Sequence, residues 1–160
     1  MSPQQRLLLE TSYNATHMCA VRFSAMNGAD VGIFVGIMNT DFASFVALGD
    51  GSVYAATGSS HSIAAGRLSF VLGLQGPCVS YDTACSAALA ACHAGLRALQ
   101  LDECAGGLVA GVSLMLSPGV SISFAIAGMT SVRGRSHTFD ERADGYARGE
   151  ACGGVALRSG

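Results

Sequence analysis

The chain has no lysine, no tryptophan, three prolines and few charges of either sign. Nine arginines carry all the basic charge, and they are scattered rather than gathered into a stripe interleaved with aromatics. That excludes a nucleic-acid reader. Only 12% of the 160 residues are charged, while 50% are hydrophobic and the mean hydropathy is +0.42. Such a chain is too apolar to be disordered and too poor in charge for a comfortable small monomer. Part of its surface is therefore expected to be covered by more chain, by a partner, or by both.

Recognisable metal and targeting patterns are missing as well. The six cysteines and four histidines form no C-x-x-C and no H-x-x-x-H. Cys92 and His93 are adjacent, so on a helix they point about 100° apart and ligate one ion poorly. No metal site is expected. Met1 is followed by "SPQQRLLLE", a capped helix start and not an apolar leader, so the thiols are expected to stay reduced in an intracellular, cytoplasmic chain. Residues 107–129 carry no charge and are long enough to cross a bilayer. Pro118 and the interspersed glycines and serines argue instead for a Gly-rich buried strand, a turn at Ser117-Pro118-Gly119 and a short apolar helix, with no membrane span.

What is present alternates between helix and strand. Residues 2 to about 20 read as a helix, with Ser2 as N-cap, Pro3 at the first position and Gln5 completing a capping box. Leu8, Thr11, Ala15 and Met18 follow its spacing. Asn27-Gly28 marks a turn, and "VGIFVGI" (31–37) reads as a buried parallel strand. Residues 41–58 suggest a short helix and then a Gly- and Ser-rich loop. Residues 59–74 form a helix apolar on most sides, hence buried, ended by Gln75-Gly76-Pro77. "CVSYDTA" (78–84) is strand-like. A second helix runs from 85 to about 101 with Leu89, Cys92, Leu96 and Leu99 as its core stripe. Residues 106–116 form another buried strand, and a charged loop leads into a last strand, "CGGVALR". The alternation argues a layered α/β fold.

Cys85 lies where strand, tight turn and helix start meet, the layout of a nucleophile elbow. A helix start offers unpaired N–H groups and the positive end of the dipole, which favour a thiolate over a thiol in general. The same N–H groups suit the oxyanion of an attacked carbonyl. Thr83, Ala84, Ser86, Ala87 and Ala88 are small enough to permit a strained turn, and Asp82 can accept hydrogen bonds from it. On position alone, a buried inert cysteine, the reading given to Cys92, stays open beside the nucleophile.

"GPCVSYDTACSAAL" resembles the active-site segment of β-ketoacyl synthase domains of type I polyketide synthases and related fatty acid synthases, G-P-x(4)-D-T-A-C-S-S-S-L. Four further stretches are similar to motifs of the same family, in the same order: "MSPQQRLLLE", "TGSSHSIAAGRLSF", "GVSLMLSP" and "GRSHTFDERADGYARGEACG". Ala87 and Ala88 replace two serines, Ser2 an aspartate, Ser113 an asparagine and Ala151 a glycine. The resemblance implies a thiolase-like layered α/β fold with two related halves. Residues 1–160 would be a partial N-terminal domain, lacking the extreme N-terminus and the whole C-terminal half. It implies that Cys85 is the nucleophile, acylated from a carrier-protein thioester before decarboxylative condensation with a malonyl-type extender. It implies no resident cofactor, since phosphopantetheine arrives on the acyl carrier protein. It also implies a homodimer whose two-fold lies near "PCVSYD", and an isolated chain prone to aggregate.

The family's two catalytic histidines lie in H-G-T-G-T and N-x-G-H segments of its C-terminal half. His17, His61, His93 and His137 stand in no such context, and His61 and His93 read as structural. The loop "TFDERADGYARGE" reads as a structure turning at Gly145 and Gly149 and stapled by pairs among Asp140, Glu141, Arg142, Asp144, Arg148 and Glu150. The competing reading has Phe139 and this loop lining an acyl pocket. Another thiolase-fold acyl-cysteine transferase and a non-catalytic dimerisation domain are the alternative functions; the complete Cys85 motif argues against the second.

Overall fold

The computed structural model describes residues 1–19, 26–38, 41–47 and 52–158. The helical expectation at Ala20 and the first part of the loop expectation, 48–51, fall outside them; the rest of that expected loop instead forms a short helix over Ala55–Ser59. Three strands run parallel: β1 (Val31–Ile37), β2 (Cys78–Tyr81) and β3 (Gly106–Ser113). The fourth, β4 (Ala151–Arg158), runs antiparallel beside β3, and the sheet order is β2-β1-β3-β4. Side chains alternate across the pleat. Ile33, Val35 and Ile37 therefore share one face with Leu108, Ala110 and Val112, while Phe34 and Val109 share the other.

Helices cover both faces. On the first lie α1 (Pro3–Met18) and α4 (His61–Leu72), which bury Leu8, Ala64, Ala65, Leu68 and Leu72 against the sheet. On the second lies α5 (Ala87–Gln100), which packs Ala91 and Ala98 against Phe34 and Val109. The short helices α2 (Asp41–Ala47) and α3 (Ala55–Ser59) lie between β1 and α4, and α6 (Pro118–Ile126) follows β3. The expected strand-turn-helix at 106–126 is present, with Ser117 Oγ accepting from Gly119 N at the start of α6.

Four local expectations need correction. The capping box of α1 does not form: Ser2 Oγ accepts from Gln4 N, but Ser2 N donates to Gly58 O. The Gln5 amide reaches away, donating to Thr57 O and Ser60 O and accepting from Arg67 Nε, so it ties α1 to the α3–α4 junction. Met18 is exposed; the buried stripe of α1 is Gln4, Gln5, Leu8, Ser12 and Thr16. Helix α4 buries only one side and turns Phe70 outward; it ends at Gly73, which is left-handed at φ +68°. In α5 the deeply buried residues are Ala87, Ala91, Gly95 and Ala98, with Cys92 and Leu99 only partly buried and Leu89 and Leu96 exposed.

The last correction has a steric cause. Gly36 and Gly111 are cross-strand partners in β1 and β3. A Cβ on Gly36 would stand 2.5 Å from Ala88 Cα, and one on Gly111 would stand 2.8 Å from Ala88 Cβ. Helix α5 thus lies directly on backbone, and only small residues fit between helix and sheet.

Candidate active site

The carboxyl ends of β1, β2 and β3 point to one edge of the sheet, where open α/β sheets place their ligand crevices. Strand β4 begins at that same edge, since Ala151 pairs with Ser113. The segments leaving the three parallel strands and the segment entering β4 converge there.

Cys85 sits at this edge. Strand β2 ends at Tyr81, a 3-10 turn spans Ala84–Ser86, and α5 starts at Ala87. Ala84 has φ +53°, a left-handed backbone that a residue bearing a Cβ adopts only at a cost. Three side-chain hydrogen bonds hold it, beside the backbone bond from Ser86 N to Thr83 O at 3.3 Å. Ala84 N donates to Asp82 Oδ1 at 3.1 Å, Ser86 Oγ donates to Thr83 O at 2.9 Å, and the Thr83 and Ser86 hydroxyls lie 3.0 Å apart. The strained turn and the role of Asp82 are as the sequence implies. No side chain caps the start of α5, so its first N–H groups point at the edge unopposed by a side-chain acceptor. The contact of Ala88 with Gly36 and Gly111 fixes how far the helix start, and Cys85 with it, stands above the sheet.

Cys85 is exposed and opens into a cleft of about 690 Å³. The floor is Gly36, Gly111 and Gly153, one row across the sheet. Met38 and Cys92 line it beside Cys85, and Phe124 and Tyr146 line it from α6 and the loop before β4. The surroundings are mainly apolar, which suits an acyl chain better than a polar metabolite.

The other cysteines sit differently. Burial pushes the Cys104 and Cys152 thiols up, and Cys152 also accepts a hydrogen bond from Thr11 Oγ1 at 3.3 Å. Cys19 is the C-cap of α1, at the end of a helix and not at its start. Cys92 lies about two turns further on, within α5, where it lines the same cleft but is half-buried. Cys85 alone combines an elbow, an open cleft and an uncapped helix start.

None of the four histidines lines the cleft. His17 stacks on Tyr13, His61 opens α4 and accepts from Ser80 Oγ through its carbonyl, and His137 has φ +47° in the charged loop. His93 faces solvent and not a packed surface. Among the described residues, no group of three His, Cys, Asp or Glu is placed to hold a metal.

The charged loop divides in two. Asp140 and Arg142 pair at 2.6 Å, which holds the Asp140 carboxyl below its usual range, and Arg133 approaches Asp144 at 3.8 Å. Of the pairs expected among Asp140, Glu141, Arg142, Asp144, Arg148 and Glu150, only Asp140–Arg142 is present among the described residues; the ion-pair partner of Asp144 is Arg133, from outside that set. Gly145 turns it, with φ +134° and a hypothetical Cβ 2.5 Å from Thr130 C; Gly149 is not left-handed. Beyond Gly145 the chain pairs with Thr130 through Tyr146, and residues 146–149 enter the cleft wall. Phe139 does not: it is fully exposed. The cleft-lining role expected of this loop therefore belongs to Tyr146 and Arg148 and not to Phe139, and Phe124 and Met38, for which the sequence offered no reading, share it.

Residues 1–160 match the family described as β-ketoacyl synthase, N-terminal domain. The chain belongs to that family. It is 41% identical over 160 residues to the highly reducing polyketide synthase verA of Penicillium polonicum. It is 42% identical over 161 residues to the non-reducing polyketide synthase adrD of Penicillium roqueforti. These alignments cover 99% of this chain but only 6% of each of those proteins. Among solved structures, the ketosynthase from module 6 of the bacillaene synthase of Bacillus subtilis 168 superposes with a TM-score of 0.90 at 33% identity. The Streptomyces albus oxazolomycin ketosynthase domain OzmH KS7 gives 0.89 at 30%. The chain spans 27% of each, so the thiolase-like α/β fold described above is the N-terminal portion of a ketosynthase fold. No helix among the described residues is long and apolar enough to cross a membrane.

Proposed function

We propose that this chain supplies the nucleophilic part of a ketosynthase acting in polyketide assembly, with Cys85 as the acyl acceptor. The observation that carries this reading is the placement of Cys85: exposed on a strained elbow, at an uncapped helix start, over an apolar cleft. The Cys85 thiolate attacks the carbonyl carbon of an acyl thioester carried on the phosphopantetheine arm of an acyl carrier protein. The tetrahedral oxyanion is received by N–H groups at the start of α5. Collapse breaks the old C–S bond, expels the pantetheine thiolate, which takes up a proton, and leaves the acyl group on Cys85. In the whole enzyme a malonyl-type extender then loses CO2, and its carbanion attacks the Cys85 thioester to form a new C–C bond and release the thiol.

The second step needs groups to stabilise the enolate, and the four histidines here stand away from the cleft. Acyl loading is thus the chemistry assigned to these residues, and condensation to the complete ketosynthase. Phosphopantetheine comes and goes with the carrier protein, so no resident cofactor is required. Strand β2 is an edge of the sheet, and an edge strand offers N–H and C=O groups to a second copy; a homodimer joined near β2 is the assembly proposed.

The test is intact-mass analysis after incubation with an acyl thioester, beside Cys85→Ala. An adduct on the unaltered protein and none on the variant is expected. An adduct of equal yield on both would remove Cys85 from the role.

A further inference from the structure

Arg148 is the one charged side chain among the described residues that line the Cys85 cleft. It leaves the chain just before β4, at the carboxyl edge of the parallel strands, as Cys85 does. Its guanidinium lies 5.3 Å from the centroid of the Phe124 ring and donates to Ser121 Oγ. Among the described residues it pairs with no carboxylate. Its near neighbour Glu150 is engaged elsewhere, accepting from Met115 N at 2.6 Å.

A half-buried cation in an apolar cleft gives up hydration that a counter-charge would normally replace. The contacts present replace little of it. Stacking uses one face of the guanidinium, and the serine uses one of five N–H donors. The remaining donors lie in the plane, in the fork that suits a carboxylate or a phosphate. The stack on Phe124 holds that plane within the cleft wall.

We infer that Arg148 is a specificity-determining residue that receives an oxyanion carried by the incoming thioester, either the phosphate of its pantetheine arm or a carboxylate on its acyl group. The inference rests on the reading of Cys85 as acyl acceptor. Most of the ligand is uncharged and matches the apolar walls; the anionic group matches the single cation.

The experiment uses the full-length protein with three donors: acetyl-pantetheine, which is neutral, acetyl-4′-phosphopantetheine, and succinyl-pantetheine. The rate of adduct formation at Cys85 is read by intact mass for the unaltered protein, Arg148→Gln and Arg148→Lys. The readout is the ratio of charged to neutral donor within each protein, which a general loss of folding does not change. At least one charged donor should load about ten-fold faster than the neutral one, as a charge-assisted pair would give. Which donor it is separates phosphate from carboxylate. In Arg148→Gln the ratio should fall to near one, and Arg148→Lys should restore part of it. A ratio near one in the unaltered protein, or one that survives Arg148→Gln, would overturn the inference. If no donor loads Cys85, the nucleophile reading fails, and equilibrium binding decides the inference separately. Binding of phosphopantetheine or S-succinyl-pantetheine more tightly than pantetheine, with that preference lost in Arg148→Gln, upholds it; equal binding overturns it.

Discussion

Gly36 and Ala88 meet backbone to backbone, with no room for a side chain between β1 and α5: a Cβ on Gly36 would stand 2.5 Å from both Ala88 N and Ala88 Cα. The atoms it would strike are main chain and cannot swing aside. Gly36→Ala must therefore lift the start of α5, and with it the elbow that carries Cys85. A loss of about 2–3 kcal/mol in unfolding free energy is expected, the cost of forcing a methyl into a packed interface. Gly66→Ala is the contrasting substitution, because nothing lies within 4 Å of a Cβ at that position in α4. It should stabilise by about 0.5–1 kcal/mol through helix propensity alone. Urea titrations of the two variants check both signs. Equal effects would mean that the contact over Gly36 relaxes freely.

Ala84 holds a left-handed backbone at φ +53°, immediately before Cys85. A β-branched residue there meets more steric resistance than alanine, and glycine meets none. Ala84→Val should destabilise by about 1–2 kcal/mol and slow acylation of Cys85, while Ala84→Gly should keep the elbow. The measurement is the rate of adduct formation for the two variants beside their melting temperatures. If Ala84→Val loads as fast as the unaltered protein, this backbone conformation is not what presents the thiol.

The elbow was legible in the sequence because its determinants are local: a strand end, a run of small residues, and Asp82 two residues before the strained Ala84. The strands were legible because each is a short apolar run between turn signals. The face of α5 was not. Its leucines and its alanines both recur at helical spacing, and periodicity alone favours the larger residues as core. What decides is the surface opposite, and that surface is glycine: Gly36 and Gly111 are 75 positions apart in the chain yet paired in the sheet. The capping box failed for a similar reason. Gln5 has the right spacing for Ser2, but Thr57, Ser60 and Arg67 offer it partners that only the folded chain brings near. Phe139 stays outside the cleft that Tyr146 and Arg148 line because the turn at Gly145, a contact made only on folding, separates the two halves of that loop.

Leu89 and Leu96, displaced from the core of α5 by the glycines beneath it, form with Phe70 of α4 a set of large apolar side chains left in solvent; Leu89 is 72% exposed and Phe70 88%. Ile126 at the end of α6 is 83% exposed as well. A monomer rarely tolerates so many, and with only 12% of residues charged there is little repulsion to keep copies apart. The 160-residue chain by itself should therefore self-associate as its concentration rises. Light scattering across a dilution series should show the mean mass climbing without a plateau. Leu89→Gln combined with Leu96→Gln should move the onset to higher concentration, since it removes apolar area from two side chains that stand largely or half in solvent. A plateau at one defined mass in the unaltered chain, unchanged in the double variant, would place the association elsewhere, and the edge of β2 is then the surface to alter next. A stable monomer at high concentration would mean that these leucines need no cover, and that the low charge of the chain is not a sign of a buried face.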